Sequence, residues 1–289
     1  MEDIAAAANG ENGALCAATE RRRLALGHGK ARRRSDQEDR NGIGKAGSVS
    51  ELLDLAIAAH GGMERWRSLN TISVRISVGG GLLAAKWKLH ALRGEGRVEC
   101  SKPSAVFSPY SGPGRSGVFE PNKVWIETED GNLLQERKDP RAAFRGLRRT
   151  IYWDYLDLLY FAGYALWNYL CAPFFLALPD FELREIEPWD EKGERWRRLQ
   201  VHFPPSIPSH SREQVFYFDE RGLIRRLDYT AEPVGSWAKA AHYCFEHKTF
   251  SGLVVPTRRR VVPRRADGRT LPGPTLVWIE IADVTPYQS

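Results

Sequence analysis

Two carboxylates at the start of an aromatic segment, Asp154 and Asp157, have the spacing of an acid–base pair. Residues three apart lie on the same face of a helix. Two carboxylates placed in this way more commonly form a solvent-exposed polar face or bind a neighbouring arginine than act as an acid–base pair. Together with His242 they are the candidate acid–base groups of an enzyme acting on a lipid-like substrate. This enzymatic reading is one of the functions that the sequence leaves open, and a membrane-surface or partner-binding protein is another.

His242 is also the centre of a search for metal ligands. It lies two residues from Cys244 on a predicted strand, so both side chains point to the same face. A metal site needs three or four ligands, and the sequence contains no Cys/His cluster with zinc-site spacing. Nucleotide-binding loops and hydrolase motifs are also absent from the sequence. The sequence therefore contains no motif that predicts a metal, a cofactor or a specific catalytic residue.

A basic run, Arg258 to Arg260, falls on another predicted strand. The alternation of a strand places Arg258 and Arg260 on one face and Arg259 on the other. The first two could bind a polar headgroup at the rim of a cavity, or they could simply keep a sheet edge charged and solvated. Aromatic residues are not interleaved with the arginines, so no nucleic-acid partner is predicted.

The segment 150–178 is unusually apolar and holds ten of the 31 aromatic residues. It predicts a helix that continues to about Cys171 and ends or kinks before Pro173. Three readings remain: a membrane span, an interfacial helix in peripheral contact with a membrane, or a helix buried by the chain's own sheet. The sheet predicted on both sides of the segment favours the third reading.

Alternating apolar and polar residues predict about ten strands, beginning with 71–78 and 85–91. The connections are too short for parallel crossovers, so the sheet should be antiparallel. The predicted fold class is α+β, with a large curved antiparallel sheet, an incomplete β-barrel, wrapping a few helices. The further predicted strands are 124–129, 132–137, 181–187, 195–203, 213–219, 223–230, 241–250, 253–262 and 275–284.

A sheet of that width must curl, because two helices of about 10 Å diameter cannot cover it when flat. The space between the curled sheet and the aromatic helix could be completely filled, or it could leave an apolar cavity. The second alternative predicts non-enzymatic binding or carriage of a hydrophobic or amphiphilic small molecule, such as a lipid. The predicted ligand-binding residues are Trp87, Tyr160, Tyr164, Trp167 and Phe218 as lining, with Arg258 and Arg260 for a headgroup.

Four segments of the sequence form a familiar combination: His60-Gly61-Gly62, Trp66 to Leu69 with 71–78, the hairpin 216–229 and 252–260. Together they resemble lipoprotein-carrier-like proteins of the LolA, LolB and LppX type, and more closely an uncharacterised bacterial group of that type. The resemblance covers about residues 48–284. It implies an incomplete β-barrel with helices as a lid over a hydrophobic cavity that holds acyl chains or similar ligands.

The chain has 289 residues and a formal net charge of +6, a composition that excludes disorder throughout and a collagen-like chain. Residues 1–47 contain no Trp, Tyr or Phe and no apolar period, so they are predicted to be a disordered extension. Residues 48–289 are predicted to form a single half-barrel domain. The carriers are exported, whereas no signal peptide or lipobox is recognised here, so a cytoplasmic location is expected.

Overall fold

The computed structural model describes residues 46–88, 92–146 and 151–288, and the predicted extension lies outside this part except for its last two residues. Within these ranges the helices are α1 (Ala46–Ala59), α2 (Met63–Arg67), α3 (Gly81–Ala85) and α4 (Tyr155–Cys171), with 3₁₀ helices at Pro140–Phe144 and Phe174–Ala177. The strands are β1 (Leu69–Gly79), β2 (Arg93–Glu99), β3 (Ala105–Ser108), β4 (Arg115–Glu120), β5 (Lys123–Thr128), β6 (Leu133–Lys138), β7 (Glu182–Glu191), β8 (Glu194–His202), β9 (Glu213–Phe218), β10 (Ile224–Thr230), β11 (Lys239–Phe250), β12 (Leu253–Pro263) and β13 (Val277–Gln288).

All of these strands belong to one antiparallel sheet in the order β6-β5-β4-β3-β2-β1-β13-β12-β11-β10-β9-β8-β7. Neighbours in space are neighbours in sequence, except at the centre, where β1 pairs with β13 and places Ile72 opposite Pro286. The two ends of the sheet, β6 and β7, do not pair with each other, so the sheet is open. The predicted fold class is confirmed: a curved antiparallel sheet wraps a few helices.

The aromatic helix α4 lies inside the curved sheet, and its residues from Leu156 to Cys171 are all buried. It begins later than predicted, at Tyr155, because Asp154 caps it; its predicted end at Cys171 is confirmed. Burial of this apolar helix against the inner face of the sheet supplies the main core. Among the described helices, none has the length and apolar character needed to cross a membrane.

Close approach between α4 and the sheet depends on glycine at two positions. A Cβ atom on Gly163 of α4 would lie 2.3 Å from Cγ of Phe119 in β4, and one on Gly96 of β2 would lie 2.7 Å from Cδ2 of Leu166. Real Cβ atoms do not approach other atoms so closely. The absence of side chains at these two positions therefore sets the spacing between the helix and this half of the sheet.

The predicted strand 85–91 is wrong. In its place the chain forms the short helix α3 and a turn in which Trp87 has φ of 60°, while 89–91 lie outside the described residues. The run Gly79-Gly80-Gly81 ends β1 just before this helix. Three strands that the alternation did not predict, β2, β3 and β4, occupy the space between β1 and β5.

Candidate functional site

The position of α4 is fixed at its beginning by a reciprocal cap. The Asp154 carboxylate accepts a hydrogen bond from the Asp157 amide, and the Asp157 carboxylate accepts one from the Asp154 amide. Arg137 of β6 binds both carboxylates, at 2.6 Å each. The two predicted acid–base residues thus hold the helix to the sheet, and neither lines the cavity described next.

A cavity of about 60 Å³ lies between α4 and the inner face of the sheet. Its walls come from one face of α4, from α3 and from strands β1, β3, β10, β12 and β13. Most of the lining is aliphatic or aromatic, which makes the cavity hydrophobic. The apolar lining residues are Ile76, Val78, Leu83, Leu92, Phe107, Phe161, Ala162, Ala165, Leu166, Leu170, Val261, Val277, Ile279 and Ile281.

The remaining lining residues form a polar cluster, which consists of Tyr169, His210, Tyr229 and Arg259. The Tyr169 hydroxyl lies 2.7 Å from Nε2 of His210 and 3.5 Å from the Tyr229 hydroxyl. The His210 and Tyr229 rings stack with centroids 4.1 Å apart. Burial lowers the pKa of His210 to about 3, so this imidazole is neutral at physiological pH.

His210 comes from the segment between β8 and β9, which the sequence analysis passed over. Tyr164 binds Nδ1 of His210 at 3.0 Å, and Asn168 donates hydrogen bonds to the Tyr164 and Pro208 carbonyls. Tyr164 and Asn168 of α4 therefore face this segment. An aperiodic loop gives no pattern from which the burial of a single histidine could be predicted.

Arg259 is 3% exposed, although it carries a guanidinium group. It donates hydrogen bonds from Nη1 to the Cys244 sulfur at 3.2 Å and from Nη2 to the Tyr169 carbonyl at 2.9 Å. Its Cζ lies 5.0 Å from the centroid of the Tyr169 ring. Its Nε has no hydrogen-bond partner, and no described carboxylate lies within ion-pair distance. The cavity wall thus contains a buried cation without a counter-ion among the described residues.

His242, the third predicted acid–base residue, is fully buried beside this cluster. Its ring contacts Tyr169 edge to face at 4.5 Å, and its Nδ1 lies 3.5 Å from the Tyr229 hydroxyl. Burial, with a smaller contribution from the charge of Arg259, lowers its pKa well below the ordinary value. Its environment is that of a neutral core histidine, and it does not line the cavity.

None of the predicted lining residues lines this cavity. Tyr160, Tyr164 and Trp167 are buried on α4, whereas the cavity is lined by the face that carries Ala162, Ala165 and Leu166. Trp167 donates to the Glu99 carbonyl at 2.8 Å, and Tyr160 packs on Phe119 and Phe144. Phe218 is buried against Phe216 in β9. The cavity is thus lined by α4, but by a different face of it from the one that carries Tyr160, Tyr164 and Trp167.

Trp87 requires a clearer correction, because it is 80% exposed. The turn after α3 directs it away from the core, whereas the predicted strand would have buried it. Arg258 and Arg260 are exposed on the outer face of β12, where Arg258 pairs with Glu246 at 3.2 Å and Arg260 binds the Thr275 hydroxyl at 2.8 Å. The predicted alternation along β12 is correct, but the arginine that faces the cavity is Arg259.

No known family model matches the chain, and no curated protein matches it. Among solved structures, it is similar to a LolA superfamily protein from Nitrosomonas europaea, with a TM-score of 0.47, 10% identity and coverage of 83% of this chain and 94% of that one. It is also similar to a DUF1329 family protein from Desulfovibrio piger, with a TM-score of 0.46, 10% identity and coverage of 82% and 92%. A domain described as an outer membrane lipoprotein-sorting protein from Vibrio parahaemolyticus gives a TM-score of 0.48, 8% identity and coverage of 83% and 92%.

Proposed function

We propose that this chain binds and carries a hydrophobic or amphiphilic small molecule between α4 and the inner face of the sheet. The observation that supports this most directly is the cavity itself. Fourteen of its eighteen lining residues are apolar, and the other four form one polar cluster. Ligand sites in proteins have this composition: mostly apolar walls with a few polar groups that fix the orientation of the ligand.

The volume of the cavity indicates that binding requires the two layers to separate. Its 60 Å³ is below the roughly 150 Å³ of an engineered cavity that holds benzene, and below the roughly 300–1,000 Å³ of ordinary ligand sites. Burial of one methylene group contributes about 0.8 kcal/mol, so a twelve-carbon chain gains roughly 9 kcal/mol before the costs of opening and of lost freedom. This gain is large enough to offset a moderate rearrangement of α4.

The experiment fills the cavity from the helix. Ala165 lines it, so Ala165→Phe should place a ring where the ligand would lie, and Ala165→Val should fill less of the space. The neutral fluorescent probe N-phenyl-1-naphthylamine, whose emission rises in apolar surroundings, reports binding. Native protein should bind the probe saturably, Ala165→Phe should weaken binding by about tenfold or more, and Ala165→Val should weaken it less.

Ala58→Phe is the matched control, because Ala58 is exposed on α1 and receives the same added ring. It should bind the probe like the native protein. Unfolding in urea establishes that each variant is folded, and Ala165→Val keeps the test usable if the larger ring prevents folding. Absence of saturable binding to native protein, or equal binding by Ala165→Phe, would contradict the proposed function.

A second candidate function, contact with a membrane surface, is favoured by an exposed and mainly aromatic patch. The patch consists of Trp87, Ile151, Tyr152 and Tyr155, which are 80%, 70%, 47% and 39% exposed. Lys88 lies between two of its rings, with Nζ 5.3 Å from the Tyr152 centroid and 4.6 Å from that of Tyr155. Exposed tyrosine and tryptophan rings are typical of segments that lie in the interface of a bilayer; Lys88 itself is 8% exposed and contacts two of these rings from below the surface.

Co-sedimentation with vesicles of phosphatidylglycerol and phosphatidylcholine tests this contact. We expect the native protein to bind and Trp87→Ser to bind at least several-fold more weakly. Trp237→Ser is the matched control, because Trp237 is similarly exposed at 71% but comes from the turn before β11. Equal binding by native protein and Trp87→Ser, or no binding by either, would refute the membrane contact without affecting the cavity.

A further inference from the structure

Arg259 has positively charged and neutral groups around it, but no described carboxylate pairs with its guanidinium. Its positive charge contributes to the lowered pKa values of His60, His242 and His247, although burial is the main cause for each of the three. All three histidines are therefore neutral near pH 7 and do not balance the guanidinium. Asp219, whose charge acts on His60, accepts hydrogen bonds from the Arg221 and Leu223 amides and has Arg225 at 3.7 Å.

A buried cation with no counter-ion is costly, because the energy lost on leaving water is not recovered by attraction to an opposite charge. The other buried arginine on the sheet shows how this fold otherwise meets that cost. Arg226 is fully buried, and it binds Asp228 at 2.6 Å and Glu191 at 2.9 Å. Arg259 has neither kind of partner among the described residues, and it lines a cavity, whereas Arg226 does not.

Arg259 also retains donors that an acidic ligand could use. A guanidinium has five N–H groups in a planar fork, and the two hydrogen bonds of Arg259 engage one on each Nη. The N–H on Nε and the second hydrogen on each Nη remain. Tyr169 and Tyr229 also line the cavity, with their hydroxyl oxygens 3.5 Å apart. The planar fork of an arginine matches the oxygens of a carboxylate or a phosphate.

We propose that the molecule carried in this cavity is a single-chain amphiphile with an anionic headgroup, which pairs with Arg259 while its tail lies along the Ala162–Leu166 face of α4. This inference rests on the proposed function and specifies its ligand class. The lining face of α4 runs from Phe161 to Leu170, about 13 Å along the helix axis. Its apolar residues face Ile279 and Ile281 of β13 across the cavity, which provides a path for one chain.

The experiment compares three ligands that share a twelve-carbon chain: dodecanoate, dodecyl phosphate and neutral dodecanol. Each displaces N-phenyl-1-naphthylamine from the full chain at about pH 8, where both acids are ionised. A hydrogen bond to a charged group contributes more than a factor of ten in affinity when it is formed away from water. Native protein should therefore bind at least one of the acids about tenfold or more tightly than dodecanol.

Arg259→Met keeps an unbranched, flexible stem and removes the guanidinium with its charge, and it should reduce the preference for the acid to about one while dodecanol still binds. Arg259→Lys keeps the charge but lacks the fork, and should retain part of the preference. Arg258→Met is the matched control: the same change one residue away, on the exposed face of β12, should leave the preference unchanged.

The outcomes separate the possible headgroups and the two proposals. A preference for dodecanoate alone identifies a carboxylate, and a preference for dodecyl phosphate alone identifies a phosphate. If dodecanol binds as tightly as both acids, or if Arg259→Met leaves the preference intact, the anionic ligand class is wrong while the carrier function stands. If neither dodecanol nor the fluorescent probe binds, the carrier function itself fails.

Discussion

The contact between Gly163 and Phe119 provides a sensitive test of how closely α4 packs on the sheet. In Gly163→Ala the new methyl group would lie 2.4 Å from Phe119 Cβ, an atom that no change of rotamer can move. Relief requires the helix to move away from β4 by about 1 Å. Overpacking of this kind costs roughly 1–3 kcal/mol, and the higher value is expected here because the whole buried helix must shift.

Helix propensity acts in the opposite direction, since alanine is favoured over glycine by about 1 kcal/mol inside a helix. The net expectation is a decrease of about 2 kcal/mol in the free energy of unfolding. Urea unfolding followed by tryptophan fluorescence measures this value from the transition midpoint and slope.

Ala162→Gly, at the preceding position of α4, is the comparison variant that separates helix propensity from packing. Propensity alone predicts that Gly163→Ala stabilises the protein and Ala162→Gly destabilises it by a similar amount. The close packing seen here predicts that both variants are destabilised. A native-like or higher stability of Gly163→Ala would show that the helix does not lie as close to β4 as described.

Two further predictions concern the cap and the buried histidines. Asp157→Ala should lower the free energy of unfolding by about 3 kcal/mol, because it removes a helix cap worth about 1 kcal/mol and a charged hydrogen bond to Arg137 worth about 2 kcal/mol. The control is Asp190→Ala, which removes one member of an exposed ion pair and should change the free energy of unfolding by less than about 0.5 kcal/mol in the same urea experiment. Stability should also fall as the pH decreases from about 6.5 towards 4. Burial lowers the pKa of His210 to about 3 in the folded protein, so over this range the histidine takes up a proton only when the chain unfolds. Each such group changes the folding constant by up to about tenfold per pH unit. His210→Gln should flatten this pH dependence of the urea midpoint, and exposed His202→Gln should not; identical slopes for the two variants would refute the assignment.

The sheet could be predicted where its inner face is apolar, as in β1, where Ile72, Val74 and Ile76 alternate with polar residues. The alternation failed in β2 for a physical reason. Its inward positions include Gly96, whose missing side chain makes room for Leu166, so the strand shows little apolar period. A strand that a helix approaches closely is therefore harder to recognise than one that packs through large side chains.

The site was predicted less completely than the fold. The sequence pointed to α4, which lines the cavity, because an aromatic helix between amphipathic strands has to be covered. Which of its faces meets empty space depends on the sheet opposite, where Ile279 and Ile281 lie, and no property of the helix alone specifies this. Arg259 was overlooked because a run of three arginines is typical of a solvated strand. Its neighbours Val255, Thr257 and Val261 share its face, and their apolar or small side chains were the available signal.

The strand order carries a consequence for how the chain matures. Apart from the β1–β13 pair, every strand pairs only with its neighbours in sequence. Strands β1 to β6 and strands β7 to β13 can therefore each pair soon after they are synthesised. The β1–β13 pairing joins residues about 200 positions apart, and it has to wait for the last strand to leave the ribosome. Until then, β1 presents an unprotected edge able to recruit strands from other molecules. Self-association of newly made chains should accordingly be greatest for versions truncated before β13.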